Sequence, residues 1–242
     1  MKLRITMLAV AALALTWMGC ERGGTPDPAE PAEPAAAEGS GEEAEEEGIA
    51  AGRGVDAEAQ VIRIGNLHDQ SGPAAAIGVH FATGKQLLAA QVNAGGSGLL
   101  PDGWTIELVD RDHGYNPQRS VEAYNEIKEE VLFIGTSFGT PNTLPLRPHL
   151  ERDSVVAFPA SLSSELASHQ YTPPLGPSYL VEAMRAMDWV VENVGDASTV
   201  QVGIVYQRDD YGQDGLNGWQ QAAEHHGVTI VSEQTVDRKS VV

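Results

Sequence analysis

The sequence predicts an α/β fold in which parallel, doubly wound sheets are divided between two lobes. From Val61 onward, short apolar runs alternate with stretches of helical period, the pattern of repeated strand and helix units. Helix starts punctuate that pattern: Asn116 precedes Pro117 and Thr140 precedes Pro141, each a capping residue followed by proline at the first helical position. The third observation is YTPPLGPSY, Tyr171 to Tyr179, whose prolines and glycine can continue neither kind of element. It reads as the crossing between lobes.

Taken in order, strands are predicted over Val61 to Leu67, Trp104 to Val109, Val131 to Gly135, Val155 to Pro159, Val200 to Tyr206 and Val228 to Glu233. Helices are predicted over Ala74 to Asn93, Pro117 to Glu130, Pro141 to Glu151, Ser178 to Val194 and Asp214 to His226. In the first helix Phe81, Leu87, Leu88 and Val92 are expected to share a buried face, and Gly95 with Gly96 to stop it. Residues 61–176 then form the first lobe. Residues 177–236 form a second lobe too short to match it, so that lobe is expected to be truncated. The last six residues, 237–242, read DRKSVV, resemble the translation of a sequencing adapter and are expected to be a non-native tail.

Charge and cysteine content narrow the function classes. The 242 residues carry 34 acidic and 15 basic side chains, a formal charge of -19, which repels nucleic-acid backbones and anionic membrane surfaces. One cysteine permits no intrachain disulfide and no cysteine-rich zinc site. Much of the acidity lies in residues 21–60, where twelve acids face two bases among repeated prolines. With almost no large apolar side chain that segment cannot offset its ordering entropy, so it is expected to be a disordered tether. Residues 1–20 open with Lys2 and Arg4, run apolar from Ile5 to Met18 and close on Gly19 and Cys20, an export signal. Glycine followed by cysteine at its end resembles a bacterial lipoprotein box, with Cys20 as the lipidated residue.

Five stretches resemble one family when taken together. They are VIRIGNLHDQSGPAAAIGVHFATGKQLLAAQVNAGG from Val61, IELVDRDHGYNP from Ile106, FIGTSFGTPNTL from Phe133, PSYLVEA from Pro177 and VGIVYQRDDYGQDG from Val202. In this order the chain resembles the substrate-binding proteins of ABC importers, of the leucine/isoleucine/valine-binding type with the type I periplasmic fold. The resemblance implies an extracytoplasmic receptor that binds a small carboxylate-bearing solute between its lobes: an amino acid such as a branched-chain one, an amide or an aromatic acid. Its partners would be an ABC permease and ATPase, its membrane contact the N-terminal lipid alone, and it would use no cofactor, bind no nucleic acid and catalyse no reaction. By the same resemblance the ligand would meet Gly139 and Thr140 after the third strand, Ser163 and Ser164 after the fourth, Tyr211 from the second lobe, and Ile77 where several relatives carry an aromatic residue. The physical basis is that strand carboxyl ends and helix starts offer unpaired N–H groups, which hold a carboxylate without Lys or Arg. The acid that would hold an α-ammonium belongs to a later part of the family's second lobe, so amino acids and plain carboxylates are not separated by these residues.

Other readings compete. Gly135 to Gly139 spell G-x-S-x-G after a predicted strand, the nucleophile elbow of a serine hydrolase acting through Ser137, with Asp153 and His169 following in permissible order. Against it, Thr140 and Pro141 mark a helix start three residues too late. Asp110, Asp112 and His113 suggest a metal but lack a complementary ligand set. His225 and His226 suit a helix carboxyl end. Asp209 and Asp210 read as turn and loop residues. A sensory ligand-binding module of the same fold is the remaining alternative.

Overall fold

The computed structural model describes residues 49–95 and 97–237. The expected export signal 1–20 with Cys20, the acidic stretch through residue 48, Gly96 and the expected tail residues 238–242 lie outside the described residues. Among the described residues the first sheet has five strands: β1 (Val55–Asp56), β2 (Val61–His68), β3 (Thr105–Asp112), β4 (Ile134–Phe138) and β5 (Ala157–Ala160). β2 pairs in parallel with β3 from Val61 opposite Thr105 to His68 opposite Asp112, and with β4 on its other side; β5 extends the sheet beyond β4. Every residue of β4 is buried, as a central parallel strand requires.

The short strand β1 corrects the expectation that chain order begins after Gln60. It runs antiparallel to the start of β2, and Arg53 beside it donates to the Asp153 and Ser154 carbonyls at 2.8 and 3.0 Å. Gly54 takes φ 68°, and a Cβ there would lie 1.9 Å from the Leu132 nitrogen. Backbone pairing to the next strand and the reach of Arg53 to residues 153–154 order this piece, contacts that composition does not reveal.

Helices cover the sheet. α1 (Ala75–Asn93) packs through Gly78, Ala82, Ala89 and Val92. Phe81, Leu87 and Leu88, expected to be buried with Val92, are instead exposed. Small residues bring the helix axis close to the sheet and push the larger ones to its flanks. α2 (Pro117–Ile127) starts as expected, its cap Asn116 accepting from the Gln118 and Arg119 amides at 2.9 and 3.1 Å. The single helix expected from Pro141 divides into α3 (Thr140–Thr143), a 3-10 turn (Leu144–Leu146) and α4 (Arg147–Asp153), because Pro145 and Pro148 supply no N–H. Tyr124, Ile127, Val131, Ile134, Leu146 and Leu150 are fully buried between these helices and the sheet. α5 (Ser164–Ala167), unforeseen in the sequence, follows β5.

The second lobe contains α6 (Tyr179–Asn193), β6 (Gln201–Gln207), α7 (Asp210–His226) and β7 (Thr229–Val236), its two strands parallel. Met187, Ala222, Ala223 and Val228 form its core. α7 begins at Asp210, four residues earlier than expected, because Asp209 caps it by accepting from the Gly212 amide at 3.2 Å. Gly212 looks like a loop residue in sequence, yet it is required inside the helix, since a Cβ there would lie 2.0 Å from the Gln207 carbonyl oxygen. The expected two-lobed, parallel α/β architecture is the one observed.

Two glycines of α1 should respond oppositely to alanine. A Cβ at Gly78 would lie 1.9 Å from the Asp69 carbonyl oxygen, whereas one at Gly84 meets nothing within 4 Å. In urea unfolding, Gly78→Ala should cost about 1–3 kcal/mol by overpacking. Gly84→Ala should gain about 0.5–1 kcal/mol by restricting the unfolded chain.

Candidate functional site

Parallel pairing sends the carboxyl ends of β4, β5 and β6 toward one region, where a cavity of about 560 Å³ lies between residues of both lobes. The first lobe contributes Ile77 and Phe81 from α1, Tyr115 after β3, Phe138, Gly139 and Thr140 after β4, and Ser161 with Leu162 after β5. Tyr179, Gln207 and Tyr211 face them from the second lobe, and Leu175 from the crossing.

Each wall has a local cause. Asp69, fully buried, accepts from the Gly72 and Ala74 amides at 2.6 and 2.7 Å and so fixes the turn that leads into α1 and Ile77. Gly139 takes φ 92°, and a Cβ there would approach Asn142 Nδ2 and the Tyr115 ring at 2.8 Å. Only glycine lets the chain leave β4 into α3 at this point. Thr140 Oγ1 and Ser161 Oγ are 2.6 Å apart. One hydroxyl donates to the other, so the pair keeps one further proton for a third acceptor. Phe138 meets Phe81 and Tyr115 edge-on at centroid distances of 5.6 and 6.2 Å. Across the cavity Tyr179 and Tyr211 stack edge-to-face at 4.7 Å.

The lining residues carry no charged side chain. Lys85, Asp110, Asp112 and His113 of the first lobe have partners of their own. Lys85 donates to the Gly135 carbonyl at 2.5 Å, and burial draws its pKa down. Asp110 is held below the usual carboxylate range by His68 first, with help from Asn66 and Gln86 against its desolvation. Burial raises the Asp112 pKa, but the Gln70 and Gly114 amides and the Ser71 hydroxyl outweigh it and leave the carboxyl low. Asp112 therefore ties the loop after β3 to the turn before α1. His113, fully buried behind the aromatic wall, accepts from the Tyr115 amide at 3.0 Å through Nδ1, and burial lowers its pKa to about 4.

Of the residues singled out in the sequence, Ile77, Gly139, Thr140 and Tyr211 meet at this cavity. Ser163 and Ser164 do not line it. Ser163 is buried as the cap of α5, and Ser164 turns its hydroxyl to Asp214 of the second lobe. The short helix rotates both away, so Ser161 is the serine of this loop that faces the cavity. Tyr115, Phe138, Tyr179 and Gln207 were not anticipated, although their positions at strand carboxyl ends or beside the crossing are the available signal. The hydrolase elbow is not formed. Ser137 lies inside β4, fully buried, with its hydroxyl 2.7 Å from that of Thr143.

Comparison with known proteins follows the same lines. The family described as periplasmic binding protein matches residues 61–240. A fatty acid ABC transporter substrate-binding protein from Thermomonospora curvata is 30% identical, with 77% of this chain and 46% of that one covered and a TM-score of 0.71. A solute-binding protein of an ABC transporter from R. palustris, in complex with 4-hydroxybenzoate, is 25% identical over 73% of this chain and 47% of that one, with a TM-score of 0.61. A branched-chain amino acid ABC transporter protein from Thermus thermophilus with bound valine shares the fold at 20% identity and a TM-score of 0.65, over 73% of this chain and 46% of that one. The chain thus spans about half the length of the solved structures it matches. No curated protein matches it.

His113 makes stability depend on pH. Its folded pKa lies near 4, below the ordinary 6.5, so between these values the unfolded chain binds the extra proton and stability falls as pH falls. The loss by pH 4 should be about 3 kcal/mol. Thermal unfolding of His113→Gln, which takes up no proton at that site, should show a shallower decline over the same window.

Proposed function

The chain belongs to the periplasmic binding protein family, and we propose that it is the ligand-binding receptor of an ABC importer, taking a small carboxylate-bearing solute between its lobes and presenting it to a membrane permease. The observation that carries this reading is the cavity at the strand carboxyl ends, with the Thr140 and Ser161 hydroxyls on one wall and aromatic rings on the others, and no charged side chain in its lining. Hydroxyls and amides suit a carboxylate; Ile77, Phe81, Phe138 and Tyr211 suit an apolar body. Valine, 4-hydroxybenzoate and fatty acids, the ligands attached to the similar proteins by name, share those two features. Branched-chain and related amino acids therefore stand beside aromatic and aliphatic acids as candidate solutes.

In this reading Gly139, Thr140 and Ser161 hold the carboxylate, while Ser163 and Ser164 support the turn behind it. Ligand that contacts both lobes favours the closed form, and that differential affinity is what a permease would read. Residues 1–20 would direct export, Cys20 would carry the lipid, and the acidic segment would hold the lobes away from the membrane.

The test is a thermal-shift series with valine, 4-hydroxybenzoate and dodecanoate. A true ligand at about 100 times its Kd adds ~2.7 kcal/mol of stability. Thr140→Val, which removes a hydroxyl at nearly constant volume, should weaken that ligand about tenfold or more. Absence of a shift with all three, or an effective ligand indifferent to Thr140→Val, would count against the reading.

A further inference from the structure

We propose that Asp214 is a positioning residue that sets the angle between the two lobes by capping α5 from across the cleft. The motive is a helix start that lacks its own cap: Ser163 stands at the cap position of α5, yet its side chain makes no capping hydrogen bond. The first N–H of a helix has no partner within that helix and needs one from outside. Here the partner comes from the other lobe. The Ser164 amide donates to Asp214 Oδ2 at 2.9 Å, and the Ser164 hydroxyl donates to Asp214 Oδ1. The Asp214 side chain is nearly buried, so both of its oxygens are committed to an element fifty residues away in sequence.

The turn that Asp214 grips is the one that carries Ser161 and Leu162 to the cavity. Ser161 Oγ lies 2.6 Å from Thr140 Oγ1 and accepts from the Ser163 amide at 3.4 Å, while the Tyr179 amide donates to the Leu162 carbonyl at 2.9 Å. Residues 161–164 are thus fastened to the first lobe at Thr140 and to the second at Tyr179 and Asp214. Tyr211 precedes Asp214 by three positions on α7, which places the two on one helix face. Holding Asp214 against Ser164 therefore also sets how far Tyr211 stands from Thr140 and Ser161. Hydrogen bonds to a carboxylate weaken steeply with distance and angle, so a rotation of either lobe releases both together. The consequence for ligand capture rests on the receptor reading above; the interlobe angle itself does not.

The experiment measures distance without any ligand. Spin labels are placed on the full chain at Asn125→Cys in α2 and Gln221→Cys in α7, both exposed, in a Cys20→Ser background, and read by pulsed electron resonance. The parent should give one narrow distribution. Asp214→Ala should shift it to longer distances and broaden it, with far-ultraviolet dichroism unchanged. Asp214→Asn, which keeps an acceptor for the Ser164 amide, should fall between the two. Ser164→Ala should shift it partially, and the double variant Ser164→Ala/Asp214→Ala should go no further than Asp214→Ala alone, as two groups acting as one unit require. A parent-like distribution for Asp214→Ala, or additive shifts in the double variant, would overturn the proposal. If Asp214→Ala does not fold, a parent-like distribution for Ser164→Ala overturns it. Failure of the receptor reading would show in the thermal-shift series and leave these distances unchanged.

Discussion

Parallel pairing is the constraint on which the site depends. β2 binds β3 and β4 in the same direction, β5 follows β4, and β6 and β7 repeat the arrangement in the second lobe. All loops that leave strand carboxyl ends must then share an edge, and helix starts cluster there with unpaired N–H groups. Phe138, Gly139, Thr140, Ser161 and Gln207 reach one cavity for that reason, although they come from three different strands.

An uncharged cavity in a strongly acidic chain is the second organising feature. Three acids of the two lobes have internal duties: Asp69 fixes the turn before α1, Asp112 ties that turn to the loop after β3, and Asp214 holds Ser164. The cation Lys85 is spent on the Gly135 carbonyl. The cavity lining therefore offers hydroxyls, amides and rings in place of buried ions.

Much of the fold was legible from residues. Alternating apolar runs located six of the seven strands among the described residues to within a few positions, and Asn116 with Pro117 marked a true helix start. Legibility failed where long-range contact decides. β1 is ordered by pairing to β2 and by Arg53 reaching Asp153, neither visible in a two-residue strand. α1 turned its small residues inward because close approach to the sheet outweighs the burial of Phe81 and Leu88, a preference that periodicity alone inverts. At the site, Ile77, Gly139, Thr140 and Tyr211 were readable from motifs, but the choice of Ser161 over Ser163 and Ser164 was not, because it depends on the rotation imposed by α5.

By itself the sequence determined the class of fold and the capped helix start at Asn116, since these follow from local period, capping chemistry and proline geometry, whereas the helix at Thr140 starts one residue earlier than expected, with Gly139 at the cap position and no side-chain cap. The tertiary structure alone decided which hydroxyl faces the cavity, which aromatic rings wall it, and that Asp214 caps a helix of the other lobe. Those outcomes depend on distances between residues far apart in the chain, and such distances are set by packing rather than by neighbours in sequence.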